Sequence, residues 1–172
     1  MTVKLAMLHG SEELDIMARS ILGMRFLRLL QNIWNGFFHK KSRLRSLDDP
    51  ITRFLQHTNL FSRNKSRVKP GAFLPRPNST VAGQLETSVF LISNLSEHKI
   101  WKIGERHVAR KQKTIYGRAD LPASAVLKAK LELEIDDIPL RHANIIGWPP
   151  DKASRKDLAV DLAQSSQLKL RL

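Results

Sequence analysis

Leu131-Glu132-Leu133-Glu134-Ile135 and, a short loop later, His142-Ala143-Asn144-Ile145-Ile146 carry the clearest strand signals in the chain. In the first, Leu131, Leu133 and Ile135 alternate with Glu132 and Glu134, so an extended backbone sets its apolar side chains on one face and its charges on the other. The second is a short apolar run stopped by Gly147, Pro149 and Pro150. These residues favour turns and cannot continue a ladder. A third strand is expected over Ser88 to Ser93, where Val89, Phe90, Leu91 and Ile92 form a continuous apolar run of the kind buried on both faces.

Helices fill the spaces around these strands. Ser96 and Glu97 open one that runs to about Ala109 and buries Ile100, Trp101, Gly104 and Val108. Asp120 and Pro122 mark the start of a short helix carrying Ala125, Val126 and Ala129, with a short strand possible before it over Gln112 to Tyr116. Asp151 caps a last helix through about Ser165, with Leu158, Ala159, Leu162 and Ala163 inward. Ser46, Asp49 and Pro50 form a helix start ahead of Ile51, Phe54 and Leu55, spaced as on one helical face. From Asn59 to Gly83 the pattern breaks up around Pro70, Gly71, Pro75 and Pro77.

At the N-terminus Ser11 to Phe38 reads as an amphipathic helix. Leu14, Met17, Ile21 and Met24 recur at helical spacing, and the run ends in His39, Lys40, Lys41, Arg43 and Arg45. It has three readings: a helix packed on the domain or on a second copy, a helix lying on a membrane surface, or a segment upstream of a later translation start at Met7, Met17 or Met24. Together the elements predict an α+β fold, with a small mixed or antiparallel sheet, packed helices and an N-terminal amphipathic helix. Residues 1–46 are assigned to the basic helix and linker, 47–168 to a compact domain and 169–172 to a tail.

Composition narrows the chemistry. The chain has 172 residues, 42% of them hydrophobic, enough for a packed core. Its 29 Lys and Arg against 16 Asp and Glu leave a net charge of +13, better tolerated beside an anionic partner than alone. The absence of cysteine excludes disulfides, thiolate metal sites and thiol nucleophiles, and fits a reducing compartment. No run of about 20 apolar residues is present to cross a bilayer, and Glu12, Glu13 and Asp15 interrupt any secretory signal. A cytoplasmic location is expected. The six histidines show no metal-ligand spacing, and no Gly-rich turn supports a nucleotide or other cofactor site. Neither a metal nor a cofactor is expected.

Charge is uneven along the chain. Pro50 to Thr80 contains no Asp or Glu but holds Arg53, Arg63, Lys65, Arg67, Lys69 and Arg76. If the stretch is extended, Arg63, Lys65, Arg67 and Lys69 project from one face about 6.6 to 7 Å apart, near the spacing of phosphates along a strand. Nucleic acid or another polyanion is the first partner expected there, with help from Arg110, Lys111 and Lys113; the bland alternative is a solvated loop. An enzyme is less favoured than a binding protein. Its candidates are His142 as general base oriented by Asp120, with Arg118 or Arg141 stabilising an anionic transition state on a phosphorylated or nucleotide substrate. A third reading is an accessory protein that docks on an acidic partner through its N-terminal helix.

Tyr116-Gly117-Arg118-Ala119-Asp120-Leu121, followed by Arg141-His142-Ala143-Asn144-Ile145 and by Gly147-Trp148-Pro149 with Asp151-Lys152, resembles a pattern in short bacterial proteins of unassigned function. The earlier Val68-Lys69-Pro70-Gly71-Ala72-Phe73-Leu74-Pro75 belongs to the same pattern, which spans about Ile51 to Ala163. The resemblance implies a bacterial, cytosolic, compact domain and carries no reaction with it.

Overall fold

A computed structural model describes residues 44, 46–78, 81–109 and 114–171, all within one compact unit, Lys41–Leu172. The N-terminal helix expected over Ser11 to Phe38 lies outside the described residues, as do Arg110, Lys111 and Lys113. The unit is α+β: a mostly antiparallel sheet with a few helices. Its strands are β1 (Pro50–Leu55), β2 (Phe61–Ser62), β3 (Arg67–Val68), β4 (Arg76–Pro77), β5 (Leu85–Leu91), β6 (Gly117–Pro122), β7 (Glu132–Ile135), β8 (His142–Ile146) and β9 (Gln167–Leu170). The helices are α1 (Glu97–Ile103), α2 (Ala123–Lys128) and α3 (Lys152–Gln164).

The main sheet runs β7-β8-β5-β1-β6-β9, with β4 joined to the far end of β5, and every pairing in it is antiparallel. Each face has its own core. Ile51, Leu55, Val89, Leu91, Ala119, Leu121, Ala143 and Ile145 point to one side, beneath α2 and the inner face of α3 at Ala159, Leu162 and Ala163. Phe54, Phe90, Ile92 and Ile100 form a smaller core on the other side, beneath α1.

This two-sided burial explains a correction. Ile51, Phe54 and Leu55 belong to a strand, although their spacing of three and one is that of a helical face. In β1, Ile51 and Leu55 enter the larger core while Phe54 enters the smaller one, so the apolar residues do not alternate with polar ones. Asp49 and Pro50 lead into that strand and start no helix. Asp120 is likewise a strand residue: β6 is central, pairing Asp120 with Thr52 of β1 and with Gln167 of β9, while Pro122 ends β6 and caps α2, so the short helix expected there begins at Ala123. The edge strand β9 takes in Lys169 and Leu170, which the sequence placed in a tail.

Arg53 closes a fork in the sheet. Along one side of β5, β1 pairs with Phe90 and Leu91 and β4 pairs with Leu85 and Glu86, which leaves a gap between them. Arg53 fills it: Nη1 donates to the Ser88 carbonyl at 2.7 Å and Nε to the Ala72 carbonyl at 3.3 Å. Thr87 Oγ1 donates to the Phe73 carbonyl beside it. Burial, and then the nearby Arg76 cation, pull the Arg53 guanidinium down to about 10, so it is still charged at neutral pH.

After Ile103 the helix widens into one π-type turn over Gly104–Val108, closed by Ala109 N–H donating to the Gly104 carbonyl at 2.9 Å. Gly104 permits the close approach of α1 to the sheet. A Cβ there would stand 2.7 Å from both Ile115 Cδ1 and Phe54 Cε1. Its backbone is helical, so Gly104→Ala gains up to about 1 kcal/mol in helix propensity but forces these side chains apart at a cost of about 1 to 3 kcal/mol. A net loss of stability, read as a lowered denaturation midpoint, is expected.

Candidate functional site

The second sheet face is where the chemistry-bearing side chains gather. Register sets His142 of β8 beside Phe90 of β5, Phe90 beside Thr52 of β1, and Thr52 beside Asp120 of β6. His142 and Asp120 therefore share a face and a row, three strand spacings or about 14 Å apart. They do not form a pair; each has other partners.

Asp120 belongs to Arg118. The Arg118 side chain is only 2% exposed, and its Nε donates to both Asp120 oxygens at 3.0 and 3.1 Å. Nη1 and Nη2 bind Glu97 of α1 as a fork, at 2.7 and 2.8 Å, and the guanidinium lies 4.8 Å from the Trp101 ring. Burial disfavours the Arg118 charge, but its bonds to Glu97 and Asp120 outweigh burial and hold it above the ordinary arginine value. The same bond from Arg118 holds the Glu97 carboxyl below the usual glutamate range. Such a closed network has no free face for a substrate anion; it fastens α1 to the sheet.

Arg141 is also committed to structure. Its Nη1 donates to the Leu91 and Ser93 carbonyls at 3.3 and 3.2 Å, tying the start of β8 to the chain that leaves β5. The four candidates Arg118, Asp120, Arg141 and His142 thus do not converge on one cleft.

His142 instead sits in a chain of three residues. Its Nε2 is 2.7 Å from Ser88 Oγ, and its Nδ1 is 2.7 and 2.9 Å from the two Asp136 oxygens. With the ring neutral and Asp136 accepting at Nδ1–H, Nε2 is free to accept from the Ser88 hydroxyl. Asp136 is itself fixed, accepting from Ile138 N–H at 3.0 Å and from Asn144 Nδ2 at 3.4 Å. The ring packs edge-on against Phe90, 5.3 Å between centroids. Local geometry explains the pairing with Asp136: β7 and β8 form a hairpin whose loop turns back through left-handed Asp137 (φ 55°) and Arg141 (φ 71°). The Asp137 carboxylate accepts the Arg141 N–H at 2.8 Å across that loop. The six-residue spacing between Asp136 and His142, flanking a short loop, was the sequence signal for this pair; nothing in the sequence signalled Ser88.

The basic stretch also takes a different form from the extended face expected for it. β2 and β3 pair through Phe61 with Val68 and Ser62 with Arg67, and residues 63–66 make the turn, with Ser66 left-handed at φ 46°. Phe61 and Val68 are buried in the larger core, and Lys69 N–H donates to the Leu60 carbonyl. Arg63, Lys65, Arg67 and Lys69 are all exposed, and none of them pairs with an acid among the described residues. Arg63 and Lys65 lie in the turn, Arg67 in the returning strand and Lys69 just beyond it, opposite Leu60.

Among the described residues no group of three or more His, Asp and Glu side chains is arranged to hold a metal ion, and no helix is long and apolar enough to cross a membrane. No protein family, curated protein or solved structure matches the chain.

Proposed function

We propose that the protein binds nucleic acid through the β2–β3 hairpin, with Arg63, Lys65, Arg67 and Lys69 contacting backbone phosphates. The observation that carries this reading is the hairpin's four exposed cations without an acidic partner, held on the domain by the buried Phe61 and Val68. A rigid hairpin keeps like charges close together, which costs Coulomb energy in the free protein and is relieved when phosphates neutralise them. Arg76 adds to the field: it is exposed and close enough to Arg53 to lower that residue's proton affinity. Contacts to phosphate carry no base identity, so the binding is sequence-independent.

Titrating a labelled duplex at several salt concentrations tests the proposal. Four phosphate contacts give a slope of about −3.6 in log K against log salt, or about 150-fold weaker binding between 50 and 200 mM salt. Replacing all four residues with alanine is expected to bring the slope close to zero. A flat response from the unmodified protein, or an unchanged slope in the fourfold variant, overturns the assignment.

A further inference from the structure

We propose that Ser88, His142 and Asp136 form a nucleophilic triad for acyl transfer to water, with a carboxylic amide bearing an apolar acyl group as substrate. This activity is independent of the nucleic-acid reading and uses none of its residues.

The geometry meets the requirements for an activated serine. A nucleophile needs its base within about 2.6 to 3.2 Å and that base oriented by a third group. Ser88 Oγ to Nε2 is 2.7 Å and Nδ1 to Asp136 is 2.7 Å. The His142 side chain is 13% exposed and Ser88 is partly buried, so the pair is shielded yet reachable. Asp136 is itself held by Ile138 N–H and the Asn144 amide, which fixes the ring's tautomer and orientation.

Asn144 supplies an independent sign of a ligand. It lies directly opposite Ser88 in the β5–β8 register, is 8% exposed, and its Oδ1 is buried without a hydrogen-bond partner. A buried acceptor left unpaired costs roughly 1 to 3 kcal/mol, and the N–H of a bound amide beside Ser88 would satisfy it. The loop that carries Asp136 adds an apolar lip, with Ile138 80% and Leu140 42% exposed. Its left-handed Asp137 and Arg141 are the kind of backbone strain found where geometry is held for function.

In the reaction, Ser88 Oγ bonds to the acyl carbon as its proton passes to His142 Nε2 and the carbonyl π pair moves onto oxygen. Collapse breaks the C–N bond, and the leaving nitrogen takes the proton from Nε2. Water then adds to the acyl-serine, giving a proton to Nε2, and Ser88 Oγ takes that proton as its bond to the acyl carbon breaks. Backbone N–H groups of β5 lie in the plane of the sheet rather than over the face that carries Ser88 Oγ, so stabilisation of the oxyanion falls to the Asn144 amide. One missing oxyanion donor lowers turnover by about 10² to 10³. Covalent capture is therefore a more sensitive readout than turnover.

The test treats the full chain with an alkyl fluorophosphonate, in which Oγ–P forms, fluoride leaves and the serine proton goes to Nε2. Intact-mass and peptide analysis should find one adduct, on Ser88. His142→Gln should slow labelling about 100-fold, the contribution of a general base, and Ser88→Ala should abolish it. Asp136→Asn, which keeps size and shape, should also slow it, and circular dichroism of each variant shows whether the sheet is intact. No adduct on the unmodified protein, an adduct spread over several serines, or equal rates with folded His142→Gln overturns the triad.

Discussion

Replacing Arg118 with alanine is expected to destabilise the protein by about 3 kcal/mol, read as a fall in the urea midpoint. Removing one member of a buried ion pair costs about 3 to 5 kcal/mol, because the partner is left charged and dry. Here the burden is uneven. Asp120 is 15% exposed and would stay desolvated without a cation, whereas Glu97 is 63% exposed and regains water, which sets the estimate at the low end. The contact with Trp101 goes as well. Glu97→Gln should cost much less, below about 1 kcal/mol, as for exposed pairs. Acid gives a second check with a definite sign. Glu97 is held below its ordinary range by Arg118, so its contribution is present above that range and disappears as pH falls through the lowered value. The stability gap between the unmodified protein and Arg118→Ala should therefore narrow below about pH 4.

Phe54→Ala is expected to cost about 3 to 5 kcal/mol, the range for emptying an aromatic site in a core that cannot collapse. Phe54 is 4% exposed, meets Phe90 edge-on at 5.7 Å and Trp101 at 6.4 Å, and fills the space that Gly104 leaves open. The smaller core holds few buried residues, so little can move in to fill the void. Phe54→Leu should recover most of the loss. Because Phe90 also supports the His142 ring, Phe54→Ala should slow fluorophosphonate labelling of Ser88 even in buffer where the variant remains folded, whereas equal labelling would show the two sites to be uncoupled.

What the sequence revealed follows from where each signal resides. β7 reads directly because one of its faces is wet, and α3 because Asp151 accepts from Ser154 N–H at 2.7 Å and Ala159, Leu162 and Ala163 lie on one face. β1 does not, since burial on both faces erases the period of two and leaves a spacing that imitates a helix. β6 is hidden for another reason: Arg118 and Asp120 look like turn residues until Glu97, 21 positions away, arrives to share the charge. β9 offers only Leu168 and Leu170 as a pattern, too little to register. At the candidate site His142 was recognisable, but Asp120 was assigned as its partner in place of Asp136. Asp120 stands near an arginine in the sequence, and the arginine claims it; Asp136 reaches the ring because the hairpin folds back, and Ser88 because β5 pairs with β8 from 54 positions away. The basic cluster was visible as composition, while its turn depends on Ser66 adopting a conformation that serine does not advertise.

The place of β1 at the centre of the sheet has a consequence for synthesis. Its two neighbours, β5 and β6, end at Leu91 and Pro122, so its ladder is complete only when the chain has grown 67 residues beyond Leu55. At about 5 to 20 residues per second this leaves Ile51, Thr52, Phe54 and Leu55 without their final partners for roughly 3 to 13 s on the ribosome. A short apolar segment exposed for that long is an aggregation hazard, and charged neighbours are the usual protection. Arg53 lies inside the segment, and Arg63, Lys65, Arg67 and Lys69 follow it with no acid to offset them. The same cations that crown the hairpin in the finished fold would keep nascent chains apart while the central strand waits.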